Sequence, residues 1–558
     1  MSVGSFIFVL HSHVPYVRKS GKWPHGEEML FEIMAETYIP LLNSFETLLS
    51  KGIKPRVSLG LTPILLEQIS DPYMQREFIK YLKIRIKSAH TDYAVYKKSS
   101  PEAIMVIEYY INWYSKILSD YTNKFGRDLV NAFKYYQDNS GLDILTSAAT
   151  HGYLPLISKD SAIWGQLRTG IDHYQKYFNR YPTGIWLPEC GYRPLTLEKR
   201  DGIEKFLESS NLKYFFTDTH VIEASRKPNG DSLPVFIAQT QFNYNSLQKV
   251  STNRPKVANI NTEDGKKYST FHPYTVHDSN VYVFGRDSLT GLQVWSADWG
   301  YPGNPIYREF HKKAPSSGIQ YWKISNKLPG LKHKEFYNPD SALELAAGHA
   351  DHFTDLVTDH LDKYQIANNR QGVVVSSYDT ELFGHWWFEG VYWLEQVIEK
   401  FHQKNKVKLL SARDYITENP DTHAVRLPES SWGDGGQHST WLNSQTEEIW
   451  KKIHICEAKF EKLVQKNPQA VGDKKKLLNQ AARELLLLQS SDWTFLITTV
   501  QATDYATSRF EEHFYHFNCL SDALENNKPI DKNLKTIFDK DNAFKYINYK
   551  NFKPTPTK

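Results

Sequence analysis

Cysteine is scarce in this chain, and what there is does not pair. Cys190, Cys456 and Cys519 stand far apart in 558 residues, with no C-x-x-C element. That excludes a disulfide-stapled secreted module, a zinc ribbon and a thioredoxin-type redox motif, and it leads to the expectation of a reducing compartment. An excess of one charge is also missing: 67 Lys and Arg face 63 Asp and Glu, a formal net charge of +4, with the basic residues spread along the chain. Such a balance carries no footprint for a nucleic-acid partner. Long apolar runs are absent too. The stretch LLLLQSSDWTFLITTV is broken by Gln, Ser and Asp, short of the roughly 18 apolar residues of a membrane span, so no membrane partner is expected. The N-terminal MSVGSFIFVLHSHVPYV has no basic lead and no small-residue cleavage site. It reads as a buried strand rather than a signal peptide, and a cytoplasmic location is the corresponding expectation.

What the chain does have is aromatic residues, 14% of the total, with 14 Trp and 34 Tyr. Many stand beside Gly, Asp and His in turn-like stretches rather than in periodic core patterns. Short β-rich runs recur: GSFIFVLHSH, RVSLGLTP, LDILTSAATHG, TGIWLPECG, KYFFTDTH, VYVFGRD, GVVVSSYDTE and VKLLSARD. Each ends in polar or ionisable residues, and most are separated by stretches long enough for a crossover helix. Near-continuous apolar strands alternating with helices predict a parallel α/β sheet covered on both faces, and polar strand ends favour a barrel. Residues 65–140 read as a helical insertion in a catalytic unit of residues 1–415. Strand signals stop beyond about residue 415, so 416–525 reads as a helical C-terminal domain that contributes to the cleft, and 526–558 as a tail. Residues 239–279 are polar and poorly periodic, and are expected to form a mobile lid.

A barrel gathers the residues just after its strands into one cleft: His11, His13, His151, Glu189, Asp218, His220, Arg286, Asp287, Asp379 and Glu381. Asp218 and Asp287 read equally well as helix N-caps. His11 and His13 project to one side of an extended chain. With Asp379 and His385 they could ligate a metal in a metal-dependent hydrolase, or they could hydrogen-bond a polar substrate. Glu189 in WLPECGY and Asp379 in SSYDTELFGHWW both end apolar runs. Two carboxylates on separate strand ends are the minimum equipment for glycosidic-bond chemistry, one attacking the anomeric carbon and one moving the leaving-group proton. The aromatics after Asp379 are expected to wall off water. Trp432 and Trp441, in the glycine-rich SSWGDGGQHSTWLN, are expected to be exposed for stacking on pyranose rings.

Taken together, LHSHVPYVRKSGKWPHGEE, AATHGYLPL, WLPECGY, SSYDTELFGHWW and SSWGDGGQHSTWLN resemble the five ordered regions of glycoside hydrolase family 57, most closely its 1,4-α-glucan branching enzymes. The likeness runs from residue 5 to about 525 and includes QVWSADWGYPGNPIYREF and LLLLQSSDWTFLITT. It implies an incomplete (β/α)7 barrel with a helical insertion and a helical C-terminal domain, needing no cofactor and no metal. By resemblance Glu189 is the nucleophile and Asp379 the general acid/base. Trp23, Trp295, Trp432 and Trp441 are then glucan-binding rings, and His11, His13, His151, Arg286 and Asp492 hold substrate. Met29 stands where some members carry Trp, and Tyr244, Tyr268 and Tyr274 are all candidates for a lid tyrosine. The implied activity is retaining cleavage of an α-1,4 glucan, such as amylose or a glycogen-like polymer, and transfer to a 6-hydroxyl. An α-amylase and a 4-α-glucanotransferase are the alternatives within the family, and a metal-dependent hydrolase or a non-catalytic glucan-binding protein those outside it.

Overall fold

The computed structural model describes residues 2–22, 24–195, 200–227, 268–296, 299–325 and 330–553. Its strands are β1 (Gly4–Ser12), β2 (Ser58–Leu61), β3 (Asp143–Leu145), β4 (Tyr214–Thr217), β5 (Tyr274–Val276), β6 (Tyr282–Gly285), β7 (Gly372–Asp379), β8 (Val407–Leu409) and β9 (Ala424–Val425). Parallel pairing runs β7–β1–β2–β3. It continues through an irregular strand at 184–186, which bridges in parallel to Thr146 on one side and to Tyr214 on the other. β4 then pairs in parallel with β6. A hydrogen bond from Asp287 N–H to the Val375 carbonyl, 2.8 Å, brings the end of β6 to β7. Seven strands thus form a ring held at one seam by a hydrogen bond rather than a ladder, an incomplete (β/α)7 barrel. β8 lies against the first residues of β1.

The period-two rule of strands decides what each side chain meets. Ile7, Val9, Val373 and Val375 point inward with Leu145, Trp186, Phe216 and Phe284, forming one buried cluster. Phe6, Phe8, Leu10 and Val374 point outward and pack under the helices. His11 and Asp379 continue the inward series at the carboxyl ends of β1 and β7, where they are register partners. The barrel interior therefore ends, at its upper rim, in chemistry-bearing residues.

Four helices, Pro63–Ile69, Pro72–Ser99, Ile104–Ser119 and Leu129–Asn139, lie between β2 and β3. The longest begins where the Asp71 side chain accepts from the amides of Tyr73 and Met74, satisfying donors that a helix start leaves open. Strand pairing does not stop at residue 415. β9 pairs with β5, which is antiparallel to β6; a two-residue strand is too short to show an alternating pattern. Among the described residues no helix is long and apolar enough to cross a membrane.

Beyond β9, helices Glu447–Lys466, Gly472–Leu488, Ser491–Thr498 and Thr503–Glu525 enclose their own core, which includes Phe460, Leu485, Phe510 and Phe517. Residues 526–553, within the expected tail, are packed. Helix Lys532–Lys540 and the buried Phe544, Tyr549 and Phe552 join the same core, although a lysine-rich sequence hides their spacing. This domain is stitched to the barrel by two backbone bonds, Tyr153 N–H to Gln489 carbonyl at 3.2 Å and Ser491 N–H to His151 carbonyl at 3.1 Å.

Candidate active site

Glu189 sits in a one-turn segment after the irregular strand, with left-handed φ of 60° and ψ of 23°. For a residue with a Cβ this conformation costs of order 1–3 kcal/mol and persists only where surroundings impose it. Here they do: the Glu189 carbonyl accepts from Trp432 N–H at 3.0 Å, and Tyr192 and Ser430 exchange bonds at 2.8 and 3.0 Å. The carboxylate is held at both oxygens. Trp432 Nε1–H donates to Oε2 at 2.8 Å and the Ser491 hydroxyl to Oε1 at 2.9 Å. Burial raises the Glu189 pKa, against the pull of these two donors and the nearby His13.

Asp379 has a different environment. Burial first, and then the charges of Glu381 and Glu189, push its pKa well above the carboxylate range, with Arg286 opposing. Glu381 accepts from the Tyr38 hydroxyl and, at 3.2 Å, from His13 N–H. Burial lifts its pKa to about 7. One carboxylate thus has donors aimed at its anion while the other faces like charge, the arrangement that separates a nucleophile from a proton donor.

Around the pair, rings are layered. His13 stacks on His151 at 4.0 Å, and His11 stacks on Trp186 at 4.8 Å. Trp186 meets Trp432 at 5.1 Å. His13 Nδ1 faces Thr62 Oγ1 at 3.1 Å, and its Nε2 faces Asp492 Oδ2 at 3.0 Å. Burial disfavours charge on His13, but Asp492 first, and then Glu189 and Glu381, together outweigh it and the pKa is raised. Arg286 forms a two-point pair with Asp218, Nε to Oδ1 at 3.1 Å and Nη2 to Oδ2 at 2.9 Å. Its guanidinium lies 5.8 Å from the Trp432 ring. Asp218 also caps Thr219, and Asp287 caps its helix at Thr290, so both carry the capping role. Trp295, half-buried at the end of helix Ser288–Trp295, points Nε1–H at the Ser377 carbonyl, 3.5 Å away.

Several expectations need correction. Trp441 is not exposed: only 1% of it meets solvent, and its ring stacks on Tyr153 at 4.4 Å. The glycines that suggested an open loop make room for that ring, since a Cβ on Gly433 would fall 2.6 Å from it. Of the aromatics after Asp379, Phe383 and Trp387 are core, whereas Trp386 is 52% exposed. Tyr274 is buried on β5, and Tyr268, partly buried, packs edge-on against it at 5.4 Å. Tyr244, Trp23 and residues 239–267 of the lid expected over 239–279 lie outside the described residues. Met29 packs against the core. Sequence pattern does not single out Ser491; its one signal is adjacency to Asp492 in a serine pair that starts a helix.

Among the described residues, one group of possible metal ligands lies within 4.8 Å, Glu484, His513, His516 and Asp541 in the helical domain. Arg509 Nη2 approaches His513 Nε2 at 3.0 Å, and His513 Nδ1 lies 2.8 Å from Glu484 Oε2. Arginine can only donate, so the ring proton of a neutral His513 is on Nδ1, aimed at Glu484. His516 Nδ1 lies 3.0 Å from Asp541 Oδ2. The nitrogens that would face a cation point at carboxylates as donors, which makes this group an ion network joining helices.

Comparisons with known proteins bear on the whole chain. The model of glycosyl hydrolase family 57 matches residues 7–428, and that of the 1,4-α-glucan branching enzyme C-terminal domain matches residues 452–552. A 1,4-α-glucan branching enzyme of Thermococcus kodakarensis is 41% identical over 98% of this chain and 78% of its own length. The crystal structure of a family 57 branching enzyme from Pyrococcus horikoshii superposes with a TM-score of 0.87 at 39% identity, covering 100% of this chain and 98% of that one. The structure of an α-amylase from Thermotoga maritima gives 0.83 at 28% identity, covering 99% and 100%.

Proposed function

The chain belongs to glycosyl hydrolase family 57, and from that membership we propose that it works as a retaining 1,4-α-glucan branching enzyme. Glu189 attacks the anomeric carbon of an α-1,4-linked donor while Asp379 gives its proton to the departing 4-oxygen. The donor chain is then an ester on Glu189, and Asp379 is ionised. An acceptor 6-hydroxyl attacks the same carbon, Asp379 takes that hydroxyl's proton, and the ester bond breaks to restore Glu189. The product is an α-1,6 branch.

The observation that carries this reading is the helical domain. It matches the branching-enzyme C-terminal model, and it places Ser491 against Glu189 and Asp492 against His13. A role in cytoplasmic, glycogen-type glucan metabolism is consistent with a cysteine-poor chain. The T. maritima likeness favours a second reading, an α-amylase, because water attacking the same ester gives hydrolysis. Amylose digests decide between them. A branching enzyme yields new α-1,6 anomeric signals with few new reducing ends; reducing ends without α-1,6 linkages would establish the amylase.

A further inference from the structure

Behind Glu189 three side chains from three parts of the chain stand in line. Ser491 Oγ lies 2.9 Å from Glu189 Oε1 and 2.9 Å from His151 Nδ1, and His151 Nε2 lies 3.0 Å from His11 Nε2. The proton positions follow from what each atom can do. An ionised carboxylate only accepts, so the Ser491 hydroxyl proton points at Glu189. The hydroxyl oxygen then accepts from Nδ1–H of His151. A neutral imidazole has one ring proton, so His151 Nε2 is bare and accepts Nε2–H of His11. That leaves His11 Nδ1 as a lone pair, and this buried atom has no hydrogen-bond partner. A bare acceptor there, facing Gly60, strands no proton.

Both histidines are neutral in this place. Burial, and then His13 and the neighbouring ring, hold the His151 pKa well below its ordinary value; burial and then His13 do the same for His11. Each ring is fixed besides. His151 has a left-handed φ of 58° and is pinned through its carbonyl to Ser491 N–H at 3.1 Å. His11 is inward-facing at the end of β1.

We propose that Ser491 is a positioning residue for the nucleophile, and that His11 and His151 act on the reaction through it, as a one-way chain His11→His151→Ser491→Glu189. The inference rests on Glu189 being the nucleophile. The chain moves no proton during the cycle. It orients one carboxylate oxygen, favours its ionised form, and remains a donor to that oxygen when the ester forms. Because Ser491 belongs to the helical domain, the barrel alone lacks the last link. The role differs from holding the sugar, which the family resemblance implies for the two histidines.

The test is a mutant cycle on the full-length protein, read as the pH dependence of kcat/KM for amylose cleavage. Ser491→Ala is expected to lower kcat/KM roughly 10- to 100-fold, the scale of a hydrogen bond to a charged group. It should also move the acid limb, set by Glu189 ionisation, to higher pH, while Ser491→Thr restores most of both. His151→Gly suits the left-handed backbone there. Alone it should cost about as much as Ser491→Ala, and in the Ser491→Ala background less than about twofold more. An unmoved acid limb with penalties that multiply would overturn the proposal and return the histidines to direct substrate contact. If Ser491→Ala does not fold, Ser491→Cys, a weaker donor of similar size, serves in its place. Glu189→Gln tests the underlying reading separately: retained turnover there removes the nucleophile, whatever the Ser491 variants do.

Discussion

At the scale of single residues, the site separates two carboxylates by what surrounds them. Glu381 is the lever on Asp379, the proposed acid. Its charge adds to burial in raising Asp379, so replacing it with a neutral side chain lowers the pH at which Asp379 loses its proton. Glu381→Gln should therefore shift the alkaline limb of kcat toward lower pH; an alkaline limb left in place would show that Glu381 does not bear on Asp379. Glu189 and Asp379 stand out in sequence because each ends an apolar run with a charge, a pattern with little structural excuse. Trp441 departs from its expected exposure because glycine signals openness in a sequence, whereas at Gly433 it admits a ring. Truncating that ring is a packing lesion. Trp441→Ala should cost about 3–5 kcal/mol of stability, measured by denaturant unfolding, and a loss below 1 kcal/mol would mean that the ring is not packed as described.

At the scale of elements, the strands that carry the site were readable from alternating or continuous apolar runs, and their polar ends pointed to the rim. β5 and β9 are not, because each is held by a few bonds too local to leave a period. Residues 526–553 escaped for another reason: Leu534 and Ile537 are sparse among lysines, yet both are buried. The same region supplies Asp541 to the ion network. Burial opposes charge on His516, but hydrogen bonds to Asp541 and Glu484 raise its pKa from 6.5 to about 10. A raised folded-state pKa contributes stability that is complete below pH 6.5 and is lost as pH climbs through 10. Thermal unfolding of the native protein should fall off across that window. His516→Ala should cost about 3 kcal/mol at neutral pH, by leaving a buried carboxylate unpaired, and should flatten the decline. An identical pH slope in the variant would exclude His516 as its source.

At the scale of the molecule, two bodies make one site. The barrel supplies Glu189, Asp379 and the stacked rings, and the helical domain contributes Ser491 and Asp492 across a seam fixed by backbone bonds. That seam joins residues more than 300 apart in sequence, which is why local pattern reading places the domain but not its serine. The central claim is that a glucan chain is held on Glu189 and then handed to a 6-hydroxyl. Its most direct measurement uses the Asp379→Asn variant with a labelled α-maltotriosyl fluoride, a donor whose leaving group needs no acid. The expected result is a maltotriosyl adduct on the peptide containing Glu189 that accumulates in this variant, which lacks the base that activates an acceptor, whereas the unmodified protein with the same donor and amylose passes the label into chains released by a debranching enzyme. Absence of the adduct, or recovery of the label only as free maltotriose with acceptor present, would contradict it.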